Sequence, residues 1–296
     1  MARTLLFYLV DVFARRPLEG NPLAVVADAD DLDEALMGAI AREFNQSETT
    51  FLMAPTRAAA DWRLRSFTPG GVEVGGAGHN ALGAWWWLAV AGRIELDDGT
   101  TAFAQEIGER LLPVEVSAAG GQPKSIAMDQ EPPERGQQVD DVGELTLALG
   151  LADGDLAPDL PTQVVSTGAP HLLVQGRDRN AVDRAAPDTP RLAAVLAGAG
   201  GEGCYLYSID PVGSGSAAYA RFFNPTVGIA EDPATGTAAG PLAVHLIDHG
   251  VADEGSVVIE QGRFLGRPSQ IALRVQGEQV TISGAAIVAA EGTLRL

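Results

Sequence analysis

Short apolar runs punctuated by glycine, proline and acidic turns dominate the chain, and helical spacing appears only between them. Thr4 to Phe13, Asn21 to Ala27 and Glu48 to Ala54 are rich in Val, Leu, Phe and Thr and predict strands. Between the last two, Leu32, Leu36, Met37, Ile40 and Phe44 recur at helical spacing, behind Asp31 or Asp33 as a cap. Asp61 to Phe67 predicts a further strand, broken by Pro69-Gly70-Gly71, with a second helix beginning near Gly78. The later half predicts a helix near 141–150, strands at 163–175, 204–209 and 218–223, and a helix from Gly236. Strands follow at 256–261, 270–275, 279–282 and 286–296. Residues 117–140 carry Ala118-Ala119-Gly120-Gly121 and Pro132-Pro133 with few apolar runs, which places a boundary between lobes 1–122 and 123–296. The last strand is expected to return to the first lobe.

An internal echo organises these elements. Arg65-Ser66-Phe67-Thr68-Pro69 is followed by Gly78-His79-Asn80-Ala81, and Arg221-Phe222-Phe223-Asn224-Pro225 by Gly236-Thr237-Ala238-Ala239. Each half thus reads strand, proline turn, polar loop, glycine and small-residue helix, which predicts two pseudo-symmetric α/β lobes facing one cleft. Each lobe is expected to be a curved mixed sheet around a central helix, near 78–91 and 236–250. A helix opening on glycine exposes its first N–H groups and the positive end of its dipole, a site for a small carboxylate. Close helix packing is the alternative reading of the same small residues.

Composition narrows the function classes. With 296 residues, the chain can bury sizeable cores. A net charge of −19 repels phosphate backbones and anionic lipid surfaces, which argues against nucleic-acid and membrane partners. The longest apolar stretch, Ala81 to Gly92 with Trp85-Trp86-Trp87, is too short to span a bilayer, and no signal peptide is evident, so a cytoplasmic location is expected. The single cysteine, Cys204, lies in a strand-like run and reads as a packed thiol. No Cys/His cluster has zinc-site spacing, so no metal is expected.

Longer blocks carry a resemblance. Asp11-Val12-Phe13, Glu19-Gly20-Asn21-Pro22-Leu23-Ala24-Val25-Val26 and Asn45-Gln46-Ser47-Glu48-Thr49-Thr50-Phe51 resemble the opening of the PhzF-like, phenazine-biosynthesis isomerases. Phe67-Thr68-Pro69, Ala77-Gly78-His79 and Glu231-Asp232-Pro233-Ala234-Thr235-Gly236-Thr237 match later motifs of that family in order. The resemblance implies the diaminopimelate-epimerase fold, a homodimer, and cofactor-independent proton transfer on a small carboxylate-bearing metabolite, in phenazine-like or other antibiotic biosynthesis. It implies Glu48 as the catalytic carboxylate, His79 and Asp232 as further catalytic positions, and Thr237 as a substrate contact. The two cysteine positions of diaminopimelate epimerase fall at Ala77 and Thr235, so a two-thiol mechanism is not expected. Two departures, Asn80 where the family carries proline and the glycine-rich Gly70–Gly76, imply a differently shaped loop over the first helix start.

Read on its own chemistry, Glu48 ends a polar run and enters an apolar strand, where desolvation lifts a carboxyl pKa toward working pH. A solvated strand-end glutamate is the alternative. His79 at a helix start is expected to stay neutral and orient substrate. Asn21, Gly78, Asn80, Gly236 and Thr237 complete the expected substrate-binding set, with Asn21 also readable as a structural turn. His171 is within reach of the cleft, while His245 and His249 read as packing or surface residues. Two other functions stay open: an amino- or imino-acid racemase or epimerase, needing a second base such as His79 or Asp232, and a non-catalytic metabolite-binding protein.

Overall fold

β-Branched and aromatic side chains at alternate positions make β1 (Thr4–Val12) and β2 (Asn21–Val26) two faces of one antiparallel pair, with Val10, Val12, Leu23 and Val25 wholly buried. The structure is a computed structural model describing residues 4–157 and 159–296. The chain divides into two compact units, one comprising the residues up to Asp129 with Ser283–Leu296, the other Gln130–Ile282.

The first unit continues with α1 (Glu34–Phe44), β3 (Thr49–Met53), β4 (Trp62–Phe67), β5 (Glu73–Val74), α2 (His79–Val90), β6 (Gly99–Ile107), β7 (Arg110–Ala119) and β8 (Gln122–Asp129). The Asp33 side chain caps α1 by accepting from Leu36 N. The sheet runs from the C-terminal strand Ala286–Arg295 through β1, β2, β3, β4, β6 and β7 to β8. It is antiparallel except at β2/β3 and β4/β6. Strands from both ends of that order touch α2, so the sheet wraps around it. Every residue of α2 from His79 to Ala89 except Trp86 is buried, as a helix enclosed on all sides requires. Trp85 donates from Nε1 to Gln105 Oε1 at 2.9 Å, and Trp87 packs on the Tyr8 ring at 4.7 Å.

The second unit comprises β9 (Glu134–Gln138), α3 (Gly143–Ala148), β10 (Gln163–Ser166), β11 (Pro170–Gln175), α4 (Arg179–Arg184), α5 (Thr189–Ala199), β12 (Gly203–Ser208), β13 (Ala218–Asn224), β14 (Ile229–Asp232), α6 (Gly236–Asp248), β15 (Gly255–Gln261), β16 (Ser269–Gln276) and β17 (Gln279–Gly284); Ala286–Arg295 is β18. From β10 to β16 the pairings run antiparallel, parallel, antiparallel, parallel, antiparallel, the same series as β1 to β7. Strands β10, β11, β15 and β16 touch α6, which is buried at Gly236 and from Ala238 to Leu246.

The echo in the sequence is therefore an echo in topology, and it extends to side chains. Arg65 on β4 grips both carboxylate oxygens of Glu73 on β5, at 2.7 Å each, and lies 5.1 Å from the Phe67 ring centre. Arg221 on β13 grips Glu231 on β14 at 2.9 and 2.7 Å and lies 4.9 Å from the Phe223 ring centre. Strand registers then equate Thr49 with Cys204 through their partners Phe67 and Phe223. Gly20-Asn21-Pro22 falls on Gly168-Ala169-Pro170.

One expectation is corrected. Gly120-Gly121, read as the lobe boundary, is the two-residue turn of the β7–β8 hairpin, with φ of 62° and 69°, a turn that suits glycine at both positions. The division falls after Asp129 rather than after residue 122, because β8 pairs along β7. The strand region expected at 163–175 is β10 and β11, reversing at Gly168, where φ is +126°.

Candidate functional site

Glu48 sits one residue before β3, half-buried, with its Oε2 atom shielded from solvent. Its main chain is tied to β2 by the Ala24 N–H donating to its carbonyl at 3.4 Å. One residue earlier, Ser47 Oγ donates to the fully buried Asn21 Oδ1 at 3.4 Å. Asn21 is therefore a neighbour of the Glu48 loop. Gly20 fixes this corner: its φ is +64°, and a Cβ there would lie 2.1 Å from the Val12 carbonyl oxygen. Gly20→Ala is expected to destabilise the first unit by about 2–3 kcal/mol in a denaturant melt, since a backbone atom cannot give way.

The start of α2 is held open by its own sequence. Gly78, the N-cap, provides no side chain. Asn80 accepts from Gly78 N at 2.7 Å and donates from Nδ2 to Gly76 O at 3.0 Å and to Ser66 Oγ at 3.1 Å. Both amide hydrogens and the amide oxygen are thus engaged, so Asn80 holds the glycine loop rather than extending its amide to a ligand. Ser66 Oγ lies 2.8 Å from Thr50 Oγ1. A buried polar chain thereby runs from β3, two residues past Glu48, to α2, one residue past His79. His79 itself is 9% exposed, its Nε2 has no hydrogen-bond partner, and burial pushes its pKa down to about 4. It is neutral at working pH, with one ring nitrogen unpartnered.

In the second unit, Asp232 ends β14 and accepts from Thr235 Oγ1 at 2.5 Å. Thr237, in the first turn of α6, lies 3.3 Å from His171 Nε2. Burial pushes His171 to about 4 as well, and its Nδ1 has no hydrogen-bond partner. Pro241 lacks the N–H that would close the helical bond to the Thr237 carbonyl, leaving that oxygen outside the ladder. Gly240 admits Gln130, which donates to Gly236 O at 2.9 Å; a Cβ at 240 would meet Gln130 Oε1. His245 and His249 lie at the other end of α6. Sequence reasoning missed Gln261, a polar residue on the inward face of β15 beside Val257 and Ile259, and its partner Tyr205. The inward register of Gln261 was the signal.

Three buried histidines, His79, His171 and His245, share a pKa near 4 through burial. Each binds a proton on unfolding between pH 6.5 and 4, so stability is full above about 6.5 and falls as pH drops through that window. The expected slope is about 1.4 kcal/mol per pH unit for each histidine, checked by denaturant melts from pH 7 to 4.5. A flat profile there removes the claim that these rings are buried and neutral.

Cys204 is buried on β12, and desolvation raises its thiol to about 12, so it serves as no base. Among the described residues, no group of three or more metal-binding side chains occurs, and no helix is long and apolar enough to cross a membrane.

Comparison with known proteins fits this framework. The chain matches the phenazine biosynthesis-like protein family (PhzC-PhzF) over residues 10–292. It is 36% identical to the trans-2,3-dihydro-3-hydroxyanthranilate isomerase of Pseudomonas fluorescens, covering 98% of this chain and 99% of the relative. It is 35% identical to the uncharacterized isomerase YddE of Escherichia coli O157:H7, covering 95% of each. The Bacillus anthracis phenazine biosynthesis protein of the PhzF family superposes with a TM-score of 0.90 at 26% identity, over 99% of both chains. A hydroxyproline epimerase from Agrobacterium vitis shares the fold at a TM-score of 0.64 and 14% identity. The protein is an isomerase, and the chain belongs to the phenazine biosynthesis-like family.

Proposed function

We propose that the protein shifts a double bond in a small carboxylate-bearing metabolite, without a cofactor, by moving one proton through Glu48. The observation that carries this reading is the buried Thr50–Ser66–Asn80 chain, which couples the strand behind Glu48 to the helix start that presents His79. Glu48 removes a proton from one carbon and returns it to another. His79, neutral, hydrogen-bonds the substrate. The second unit carries Asp232, and Thr237 in the first turn of α6, as further polar groups suited to the same class of carboxylate-bearing ligand.

The internal repeat favours one base over two. Through the strand registers, the counterpart of Glu48 is Gly203, where a Cβ would lie 2.5 Å from the Phe222 ring and 3.2 Å from His171 Nδ1. The second unit has filled with an aromatic ring the space where a second carboxylate would project. That disfavours the racemase or epimerase reading.

The test is turnover of trans-2,3-dihydro-3-hydroxyanthranilate, the substrate named for the Pseudomonas relatives, in heavy water with no cofactor added. The expected product has a shifted double bond and at most one solvent-derived deuterium, at the reprotonated carbon. Inversion at a single carbon would establish an epimerase instead. Binding with neither turnover nor exchange would sink the proposal in favour of a binding protein.

A further inference from the structure

We infer that Tyr205, Gln261 and Thr235 are positioning residues that lock the Thr235 hydroxyl hydrogen onto Asp232 Oδ2, so that any proton Asp232 handles is carried on Oδ1. The inference rests on the proposed membership of Asp232 in the site.

The polarity follows from groups whose roles cannot change. Gln261 is 1% exposed and its side-chain amide makes four hydrogen bonds. Its oxygen lies 3.0 Å from Thr235 N, a backbone amide that can only donate, and its nitrogen lies 2.7 Å from the Asp232 carbonyl, which can only accept. These two contacts fix which end of the amide is which. Tyr205 OH, 2.8 Å from Gln261 Oε1, must then donate. The second Nε2 hydrogen points to Thr235 Oγ1 at 3.0 Å, so that hydroxyl receives and must send its own hydrogen elsewhere. Its other partner is Asp232 Oδ2, at 2.5 Å, a length suited to a hydroxyl bonded to a charged carboxylate. A proton on Oδ2 would oppose that hydroxyl, and turning the hydroxyl round would set it against the Gln261 amide.

The architecture is built for this approach. Gly262, with φ of +77°, follows Gln261, and a Cβ there would lie 2.4 Å from the Pro233 carbonyl oxygen. The Asp232–Thr235 turn can therefore lie directly on the end of β15.

The fold does not need these polar groups. Registers and motif spacing equate Asp232 with Val74, Thr235 with Ala77, Tyr205 with Thr50 and Gln261 with Ile107. The first unit builds the same strand order around its helix with apolar residues at three of the four. A buried, fully satisfied amide relay present in one half only, ending on a carboxylate, points to chemistry rather than to folding.

The test uses two readouts on the full-length protein. In 15N–1H spectra, both side-chain amide hydrogens of Gln261, assigned by Q261E, are expected to be protected from exchange. Thr235→Val should release the hydrogen facing position 235 while leaving its twin protected, and Thr235→Ser should restore both. Freely exchanging hydrogens in the unaltered protein, or no change in Thr235→Val, would overturn the relay. In turnover of trans-2,3-dihydro-3-hydroxyanthranilate, Thr235→Val should lose at least about tenfold in kcat with KM within about threefold, and Thr235→Ser should recover most of it. Unchanged kcat in Thr235→Val also overturns the inference. Should the unaltered protein show no turnover, the isomerase proposal fails by itself, and the amide spectra still decide the relay.

Discussion

Glu48→Gln is expected to lower turnover by roughly 10²–10⁴-fold, the range contributed by a positioned general acid–base group. The substitution keeps the side-chain shape and removes only its capacity to accept and return a proton. Ligand affinity should stay within a few-fold and the melting transition should hardly move, since the backbone anchors of the loop, Ala24 N to Glu48 O and Ser47 to Asn21, do not involve the carboxylate. Deuterium exchange into substrate should disappear with turnover. A variant that keeps more than a tenth of the activity would mean the proton travels through another group, and His79, neutral with an unpartnered nitrogen, becomes the next residue to replace.

The repeated arginine–glutamate pairs make the second large prediction, because one constellation occurs at two depths. The Arg221 side chain is 3% exposed and Glu231 12%, whereas Arg65 is 15% and Glu73 37%. Arg221 also donates to the carbonyls of Val182, Asp183 and Ala185, and its guanidinium lies 3.7 Å from the Phe264 ring centre. Arg221→Met strands the Glu231 charge and three carbonyls, and should cost about 3–5 kcal/mol. Arg65→Met leaves Glu73 partly in water and should cost about 1 kcal/mol. The two losses can be read separately. All four tryptophans lie in the first unit, so fluorescence follows Arg65→Met, and hydrogen exchange in β12 and β13 follows Arg221→Met. Equal costs would show that burial does not set the strength of these pairs.

Much of this molecule was legible because its elements obey simple periodicities. The α1 stripe, the β1–β4 strands and the glycine-led helices follow from alternation, capping and helix-start composition, and the echo between Arg65–Pro69 and Arg221–Pro225 becomes a shared topology. The missed strands have physical reasons. All five residues of β9 are exposed, so no apolar face marks them, and β8 follows two glycines that serve equally in a linker or a tight turn. Among the candidate functional residues, Glu48, His79 and Asp232 stand out by motif, but the side chains packed around them do not. Gln261 reaches the Asp232 carbonyl across 29 residues of chain, and Tyr205 reaches Gln261 across 56, contacts that no local pattern encodes. Asn80 reads as a ligand contact by position, yet its amide is turned back into the loop.

The path of the backbone has a consequence for biosynthesis. Residues 130–282 form one uninterrupted stretch, while β1 must wait for β18, its antiparallel partner from Thr4 to Val12, which is made only after the whole of that stretch. The later-synthesised unit can complete its sheet before the earlier one can. Until β18 leaves the ribosome, one flank of β1 stays a bare, adhesive margin, and a nascent chain stalled before that point exposes a surface for chaperones to shield.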